Sequence, residues 1–281
     1  MITNTKIAFG DQLGAQMTSL ACLYYIAKEN NQNIVFFEEL KNFKWGYQFF
    51  DVFDIKNIKL ISLNNLLIKI LSKYIKFCDY KKMSWKSKMK RIYNRNLFNY
   101  IVRLYYYIFK KINKNFIIYD KLKNDIHTSS ILLKLDKNQN YDINNGFGTY
   151  QDFKKYEKEI INLFEFKQSI IEEANNDKYL MDKILNNNSV SIHFRQTDYL
   201  IMSSLNLDKN YYINALKNFD QNDYFIIFSD DISNVKKMNL FIDYKNVVYV
   251  ENKSPALDLY YMTLCKNNII ANSTFSFCGE C

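Results

Sequence analysis

The sequence predicts an α/β fold built on parallel β-sheets, in two domains. Three observations support this prediction. In the second half of the 281-residue chain, short apolar runs rich in Val, Ile, Phe and Tyr alternate with longer segments of helical periodicity. The same strand–loop–helix–strand order opens the chain. Polar residues directly follow the apolar runs, as is typical of parallel strands that end at a ligand-binding edge.

The first domain is predicted to begin with a strand at residues 6–9, the loop GDQLG and a helix at about 16–30. Within that helix, apolar residues recur at helical spacing, namely Met17, Leu20, Ala21, Tyr24 and Ala27. Beyond it the sequence predicts a strand at 33–37, mainly helix at about 60–116, a turn and a charged helix within 144–160, and a helix at 167–185.

The second domain alternates regularly between strands and helices. The predicted strands are residues 189–194, 224–229, 247–250 and 268–271, and the predicted helices are residues 209–219, 232–241 and 254–267. Ser254 is the expected N-cap of the last helix and Pro255 its first residue. Such alternation predicts a parallel, doubly wound sheet. We place the domain boundary so that the domains are residues 1–165 and 166–281.

The net charge of +9 is concentrated in one segment of the N-terminal domain, residues 64–118. This basic segment, predicted to be helical, contains 14 Lys and Arg and a single acidic residue, Asp79. It is either the solvated face of a helical insertion or a surface that rests on an anionic membrane, where each nearby Lys or Arg adds about 1 kcal/mol. Binding to nucleic acid is a third interpretation, which no motif supports.

The five cysteines are odd in number and mostly far apart, which is typical of reduced thiols in a cytoplasmic protein. Cys278 and Cys281 form a single C-x-x-C pair, a weak sign of a metal or redox site. The N-terminus has no basic region followed by an apolar stretch, so no secretory signal is expected. No run of about 18 uncharged apolar residues occurs, so no membrane-spanning helix is predicted.

Polar side chains follow each of the four strands predicted in the C-terminal domain. The four sequences are HFRQTD, SDD, ENKS and NSTFS, at residues 193–198, 229–231, 251–254 and 272–276. Since parallel strands end at the same edge of a sheet, these residues are expected to converge there. Strand alternation puts His193 and Arg195 on one face, opposite the apolar residues of their strand.

Arg195 suits a phosphate, because its planar guanidinium can donate two charge-assisted hydrogen bonds. A salt bridge from Arg195 to Asp198, with His193 satisfied inside the protein, is the structural alternative. Asp230 and Asp231 also allow two interpretations. Paired carboxylates suit Mg²⁺ or Mn²⁺, but we favour an arrangement in which one aspartate caps the following helix and the other holds Arg195 or a ligand hydroxyl.

Several common active-site motifs are absent from the sequence. The loop GDQLG is neither the G-x-G-x-x-G of dinucleotide-binding domains nor a P-loop, because no G-K-[ST] follows it. Only two histidines occur, which argues against a His-rich catalytic metal site. No G-x-S-x-G marks a hydrolase nucleophile. The predicted edge therefore favours an anionic, hydroxyl-rich ligand such as a sugar nucleotide.

Four stretches of the sequence resemble a known family. They are GDQLGAQMTSLACLYYIAK, VSIHFRQTDY, FIIFSDD and ALDLYYMTLCKNNIIANSTFS, in this order. Together they resemble the bacterial α-1,2-fucosyltransferases of glycosyltransferase family 11, and the run from Asp258 to Ser276 follows the family pattern almost continuously. The resemblance covers the first 30 residues and about 190–277.

The resemblance implies a GT-B fold of two Rossmann-like lobes. Residues 1–165 would form the lobe on the acceptor side, including the basic helical segment 64–118, and residues 166–281 the lobe that binds a GDP-sugar donor. GDP-fucose is the implied donor, with no metal or other cofactor. The implied reaction is inverting transfer of fucose to a galactose 2-hydroxyl of a glycan.

The resemblance also implies roles for individual residues. Arg195 would bind the β-phosphate, while His193 and Asp258 would approach the guanine. Arg195 and Asp198 are the expected catalytic residues. The other expected donor-binding residues are Gly14, Gln16, Ser229, Asp230, Asn272, Ser273, Thr274 and Ser276, of which the last three would line the pyrophosphate. The general base is not identified, and Asp11, Asp198 and Asp230 are candidates.

Three features depart from the family pattern. The family usually has two adjacent arginines, whereas Gln196 occupies the second position here. The N-terminal loop usually contains G-N-Q, whereas Ala15 replaces the asparagine here. Near the end, Phe277 and Cys278 replace tryptophans, and the sequence ends about one helix early. The first two changes remove polar groups from the expected donor pocket, and the last is expected to leave the C-terminal lobe short.

The resulting hypothesis is a cytoplasmic fucosyltransferase that builds a surface polysaccharide, an O-antigen or a capsule, on a glycan acceptor such as a lipid-linked one. The basic segment would hold it at the anionic inner face of the plasma membrane, and no nucleic acid is expected as a partner. Two alternatives stay open. In the first, the enzyme uses another nucleotide sugar as its donor. In the second, the chain is a degenerate, non-catalytic subunit that binds a sugar nucleotide.

Overall fold

The computed structural model describes residues 1–10, 12–41, 46–62, 115–120, 134–144, 154–197 and 207–280, together with a few single positions between 66 and 111. Within these ranges no helix combines the length and the apolar character needed to cross a bilayer. The chain divides into two compact units. Unit 1 comprises Met1–Asp51 and Ile55–Phe164, and unit 2 comprises Val52–Asp54 and Glu165–Cys281.

In the part of unit 1 that the structure describes, the strands form two small parallel sheets. These strands are β1 (Ile2–Thr3), β2 (Val35–Phe37), β3 (Lys59–Ile61), β4 (Phe116–Asp120) and β5 (Asn140–Asn144). The helices are α1 (Ile7–Gly10), α2 (Leu13–Glu29), α3 (Phe49–Val52, which ends in unit 2) and α4 (Glu157–Leu163). The strand orders are β1-β5-β4 and β2-β3, and a parallel bridge from Ile2 to Ile34 links the two sheets.

The prediction of a strand at residues 6–9 is wrong. The strand is β1, and residues 7–10 form helix α1. Two side chains, one adjacent in sequence and one from β5, accept hydrogen bonds from the backbone directly after β1. Asn4 Oδ1 accepts a hydrogen bond from the Lys6 N–H at 3.1 Å, and Asp142 Oδ1 accepts one from the Thr5 N–H at 2.9 Å. A side chain that bonds the backbone two residues on makes a turn, so the strand ends.

The long helical stretch predicted at 60–116 is wrong at both of its ends. Residues 59–61 form β3 and Phe116 begins β4, while the basic segment 64–118 otherwise lies almost entirely outside the described residues. Strand β5 was not predicted. All three strands pair with segments distant in sequence, for example Phe116 with Asn140. Strand formation of this kind depends on its neighbours more than on local propensity.

Unit 2 contains one four-stranded sheet flanked by helices. Its strands are β6 (Ser189–Phe194), β7 (Tyr224–Ser229), β8 (Val247–Tyr249) and β9 (Asn267–Ile269). Its helices are α5 (Gln168–Asn175), α6 (Lys178–Leu185), α7 (Lys209–Leu216), α8 (Ile232–Lys237), α9 (Pro255–Leu264) and α10 (Thr274–Glu280). All strand pairs are parallel and the order is β8-β7-β6-β9. The predicted parallel sheet is confirmed, and the strands predicted at 189–194 and 224–229 have the observed bounds.

One face of this sheet forms the core of unit 2. Val190, Ile192 and Phe194 of β6 are buried there against apolar residues of α7 and α8. Phe194 stacks on Tyr212, with ring centroids 4.0 Å apart. Because a slip of one residue would move all three apolar side chains out of the core, their burial determines the register of β6. The same register places His193 and Arg195 on the face opposite these apolar side chains, as the predicted alternation requires.

The helix predicted at 167–185 is two helices, α5 and α6. Asp177 N-caps α6, since its carboxylate accepts from the Leu180 N–H at 3.1 Å. The same carboxylate pairs with Lys253 Nζ at 2.6 Å, which ties the break to the loop that precedes α9. The cap is a local signal that the periodicity of the surrounding apolar residues obscured.

Candidate functional site

The carboxyl edge of the β6–β9 sheet carries polar residues from all four strands, as predicted. Arg195 follows the central strand β6, Asp230 follows β7, Glu251 follows β8, and Asn272 and Ser273 lie shortly after β9. Phe194 is in register with Ser229. Arg195 and Asp230 therefore leave the sheet side by side.

Asp230 connects to every residue of the loop 195–197. Its Oδ2 atom lies 3.1 Å from Nη1 of Arg195, and the two side chains are 20% and 19% exposed. Oδ1 accepts from the Gln196 N–H at 2.7 Å. Oδ2 also accepts from the N–H and the hydroxyl of Thr197, at 3.3 and 2.5 Å. The ion-pair partner of Arg195 that the structure describes is thus Asp230, whereas Asp198, the partner considered from the sequence, lies outside the described residues.

Asp231, unlike Asp230, caps a helix. It N-caps α8, since its Oδ1 accepts from the Asn234 N–H at 3.0 Å and from the Ser233 hydroxyl at 2.7 Å. These hydrogen bonds lower the pKa of Asp231. Ser229 Oγ accepts from the Asp231 N–H at 3.0 Å. The interpretation in which one aspartate caps the helix and the other holds Arg195 is confirmed.

Gln196 is directed into the protein. Only 1% of it is exposed, and its Oε1 accepts from Asn234 Nδ2 at 2.7 Å. The position that departs from the family pattern therefore attaches the loop 195–197 to the first turn of α8. Across the described ranges, no group of three or more His, Cys, Asp or Glu is arranged to hold a metal ion.

His193 is buried beneath this loop, near the ring of Phe275, with centroids 5.5 Å apart. Burial lowers its pKa to about 4, and the nearby Arg195 acts in the same direction while Asp230 opposes it. The imidazole is therefore neutral at neutral pH. Its Nδ1 atom has no hydrogen-bond partner within the described part of the chain, which leaves one ring nitrogen for a ligand or a water molecule.

Asp258 lies in the first turn of α9. The predicted start of this helix is confirmed, because Ser254 Oγ accepts from the Leu257 N–H at 3.3 Å and Pro255 is the first helical residue. The Oδ1 atom of Asp258 is buried and has no hydrogen-bond partner among the residues the structure describes. Burial raises the pKa of Asp258 to about 7, although Lys253 opposes the shift. This carboxyl group therefore changes charge near neutral pH.

Helix α10 begins at Thr274, within the polar segment 272–276 that was predicted to follow the last strand. Ser276 is buried, and its hydroxyl donates to the carbonyls of Ala271 and Ser273 at 3.2 and 3.1 Å. These hydrogen bonds stabilise the start of α10 and occupy the Ser276 hydroxyl within the protein. Asn272 and Thr274 are exposed, and Ser273 is half-buried.

Gly14 and Gln16 lie in the first turns of α2, in unit 1. The helix begins at Leu13, earlier than predicted, and both residues are buried. Gly14 accepts from the Thr18 hydroxyl at 3.1 Å, and Gln16 Nε2 donates to the Gly46 carbonyl at 3.0 Å. Both residues are therefore buried in unit 1 and hydrogen-bonded to other residues of that unit. The two other base candidates, Asp11 and Asp198, lie outside the described residues.

Sequence reasoning missed Thr197 and Asn234 as parts of the site. Thr197 stands inside the quoted stretch HFRQTD, and its hydroxyl could have been considered there. Asn234 had no signal, because it contacts Gln196 from 38 positions away in the chain. A contact of that kind exists only once the strands are paired.

The family model described as glycosyl transferase family 11 matches residues 138–281. This range includes all four strands of unit 2 and every residue of the carboxyl edge. Two curated proteins of Escherichia coli are also similar. One is the O-antigen biosynthesis glycosyltransferase WbnK, 32% identical over 133 residues, covering 43% of each chain. The other is an alpha-1,2-colitosyltransferase, 35% identical over 112 residues, covering 36% of this chain and 39% of the relative. The chain thus matches less than half the length of these relatives.

Two solved structures share the fold over nearly the whole chain. One is NodZ alpha-1,6-fucosyltransferase soaked with GDP-fucose, with a TM-score of 0.53 and 15% identity, covering 99% of this chain and 91% of that one. The other is fucosyltransferase NodZ from Bradyrhizobium, with a TM-score of 0.53, 14% identity, and coverage of 99% and 92%. Identity this low shows a shared fold alone, which is α/β with parallel sheets and of the GT-B type.

Proposed function

The chain belongs to glycosyl transferase family 11, and from this premise we propose that it transfers fucose from GDP-fucose to a galactose 2-hydroxyl of a glycan acceptor, with inversion. The product would be part of a surface polysaccharide, an O-antigen or a capsule. The names of the two curated relatives, one in O-antigen biosynthesis and one forming an α-1,2 linkage, support this choice.

The observation that carries the proposal is the presence of three recognition groups in unit 2. Arg195 is a cation held at the strand end, and His193 and Asp258 each present a buried polar atom without a hydrogen-bond partner in the described residues. A guanidinium suits a diphosphate. A carboxylate suits guanine, whose ring N–H and amino group are adjacent donors. We assign the diphosphate to Arg195 and the guanine to His193 and Asp258, with unit 2 on the donor side and unit 1 on the acceptor side.

In the proposed reaction, the acceptor oxygen forms a bond to the anomeric carbon of fucose while the bond from that carbon to the β-phosphate oxygen breaks. The electron pair of the broken bond stays on GDP. Negative charge therefore grows on the diphosphate, and a preorganised Arg195 stabilises the transition state more than the ground state. The acceptor hydroxyl loses its proton to a base. Asp230 does not fit that role, because its two oxygens already accept from four donors.

The donor is tested on the purified chain with a panel of nucleotide sugars. Thermal shift and transfer to a galactoside are measured with GDP-fucose, GDP-mannose, UDP-galactose and a GDP-linked colitosyl donor. Stabilisation and transfer with GDP-fucose support the proposal. Stabilisation and transfer with another donor would replace GDP-fucose as the substrate. Stabilisation without transfer supports a non-catalytic subunit that binds a sugar nucleotide, and no response to any donor contradicts the proposal. Lys236→Ala serves as a control variant, since its exposed ion pair with Glu251 lies on the same edge.

A colitosyl donor is the second candidate, because one relative is named for that transfer. The two departures from the family pattern, Ala15 and Gln196, also favour including it. Competition distinguishes the two candidates, since the true donor displaces GDP at the lower concentration.

We propose that the reaction proceeds without a divalent metal ion. Arg195 then supplies the charge that a metal supplies in other glycosyltransferases. Transfer should be unchanged in excess EDTA. Loss of transfer that Mn²⁺ or Mg²⁺ restores would overturn this part of the proposal.

We also propose that the protein works in the cytoplasm, against the inner face of the plasma membrane, where it meets a lipid-linked acceptor. The basic segment 64–118 supports this by its charge alone. Sedimentation with vesicles that contain anionic lipid should deplete the protein from solution at low salt and release it at high salt. Equal sedimentation with neutral vesicles, or none at any salt concentration, would contradict it.

A further inference from the structure

The Asp230 carboxylate accepts from four donors, and all four belong to the loop 195–197. Two are backbone N–H groups, of Gln196 and Thr197, one is the Thr197 hydroxyl, and one is the Arg195 guanidinium. Both carboxylate oxygens take part. The carboxylate is therefore held against rotation by groups on both sides, and it holds the loop in return.

This loop needs such support, because it lies beyond the last paired residue of β6. Phe194 pairs with Ser229, and neither ladder of β6 continues past it. The backbone N–H groups of residues 196 and 197 would otherwise have no partner from the sheet. Asp230 supplies an acceptor for both from the position directly after β7, 34 and 33 positions away in the chain.

A second attachment acts on the same loop. The buried side chain of Gln196 accepts from Asn234 in the first turn of α8. That turn is itself held by Asp231, its N-cap. The loop is thus attached to the segment 229–234 at two residues, Asp230 and Asn234. Arg195 lies between the end of β6 and the loop residues that make these contacts.

We propose that Asp230 is a positioning residue, whose carboxylate holds the loop 195–197 and the Arg195 guanidinium in the orientation that receives a nucleoside diphosphate. The inference rests on the proposed function for the identity of that ligand. A guanidinium carries five N–H donors that diverge, so it can contact a carboxylate and a phosphate at once. With both side chains about four-fifths buried, the pair is weakly screened and its geometry is well defined.

A competing role for Asp230 would give its substitution the opposite effect on GDP binding. If Asp230 were an anion that competes with the diphosphate for Arg195, then removing its charge would strengthen binding of GDP. If it positions Arg195, the same change weakens binding. Asp230→Asn distinguishes the two, because it keeps the shape of the side chain and replaces one acceptor oxygen by a donor.

The experiment compares Asp230→Asn with Asp231→Asn in the full chain. The control removes the adjacent carboxylate and keeps the helix cap, since Asn and Asp are equivalent N-caps. GDP affinity is measured by isothermal titration calorimetry. We expect it to fall about tenfold in Asp230→Asn, and to change less than about twofold in Asp231→Asn. In an Arg195→Ala background, Asp230→Asn should have less than about a twofold further effect, because the two residues act together.

A second readout needs no ligand. The Nε–Hε group of Arg195 is followed by NMR relaxation, and its order parameter should fall in Asp230→Asn and stay unchanged in Asp231→Asn. If Asp230→Asn does not fold, Thr197→Val removes one of the four donors and should lower the order parameter, while Thr197→Ser should restore it.

The proposal is overturned if Asp230→Asn binds GDP as tightly as the wild type or more tightly, if its effect persists in full without Arg195, or if Arg195 stays equally ordered. If the wild type does not bind GDP, the proposed function fails, while the order parameter of Arg195 still decides whether Asp230 positions it.

Discussion

The same arrangement occurs at the carboxyl edges of both units, with different consequences. In unit 1, Asp142 of β5 accepts from the N–H and the hydroxyl of Thr5, just after the neighbouring β1, at 2.9 and 2.6 Å. In unit 2, Asp230 accepts from the N–H and the hydroxyl of Thr197, just after the neighbouring β6. In each case an aspartate, in one strand or directly after it, bonds a threonine that follows the adjacent parallel strand.

The two edges differ in charge and in burial. Asp142, Thr5 and Asn144 are at most 2% exposed. Asp230 instead pairs with a cation, and about a fifth of each partner's side chain reaches solvent. A fully buried carboxylate bonded to a backbone N–H and a hydroxyl is suited to holding the chain, whereas a partly exposed ion pair can also meet a ligand. Unit 1 therefore uses the arrangement for stability, and unit 2 uses it beside the proposed donor site.

The largest expected effect of a substitution is at Arg195. Arg195→Ala should lower the rate of fucosyl transfer about 10²–10³-fold, equivalent to roughly 3 kcal/mol of transition-state stabilisation. The fold should remain, because Arg195 lies beyond the core face of β6. Initial rates and the melting temperature are measured for Arg195→Ala and for the control Lys236→Ala. Near-normal transfer in Arg195→Ala would show that the cation of unit 2 does not act in the reaction.

A smaller effect, on stability alone, is expected at Asp142. Asp142→Ala removes the acceptor of the buried Thr5 N–H and the shorter of the two hydrogen bonds of the Thr5 hydroxyl, which also donates to Asn144 Oδ1. The loss should lower the free energy of unfolding by about 2–3 kcal/mol. Urea denaturation measures this change. GDP affinity of the folded protein should be unchanged. A variant with normal stability and weaker GDP binding would contradict the comparison, since it would make the edge of unit 1 part of the donor site.

A third effect, on the pH dependence of stability, is expected at Asp258. Burial raises the pKa of its carboxyl group from 3.8 to about 7 in the folded protein. Between these values the folded state keeps a proton that the unfolded state loses. The contribution of Asp258 to the free energy of unfolding therefore falls as pH rises from about 4 to 7, by at most about 1.4 kcal/mol per pH unit.

Asp258→Asn lacks this titration, so its stability relative to the wild type should increase over the same range. His193, with its pKa lowered to about 4, contributes a slope of the opposite sign in both proteins. Its contribution therefore cancels in the difference between them. Urea denaturation from pH 4.5 to 8 at constant ionic strength measures that difference. Curves that run parallel would show that Asp258 is not desolvated.

Prediction from sequence succeeded best in unit 2. The bounds of β6 and β7 were correct, because each is a continuous apolar run bounded by polar residues. The cap at Ser254, and a cap at one of the two aspartates Asp230 and Asp231, were predicted correctly because capping involves residues three positions apart. In unit 1, β4 and β5 were missed, and the strand at 6–9 was a helix. There the turn after β1 depends on Asp142, which lies 137 positions away.

The sequence by itself determined which side chains share a face of a strand and which residues cap a helix. Both follow from local periodicity and short-range hydrogen bonds. Strand alternation therefore located His193 and Arg195 as candidates, and the family resemblance added Asp258. Only the tertiary structure decided that Asp230 holds Arg195 and that Gln196 is buried against Asn234. Those contacts join residues 34–38 positions apart. They form only when β6 and β7 pair in one register, and burial of the apolar face of β6 in the core selects that register.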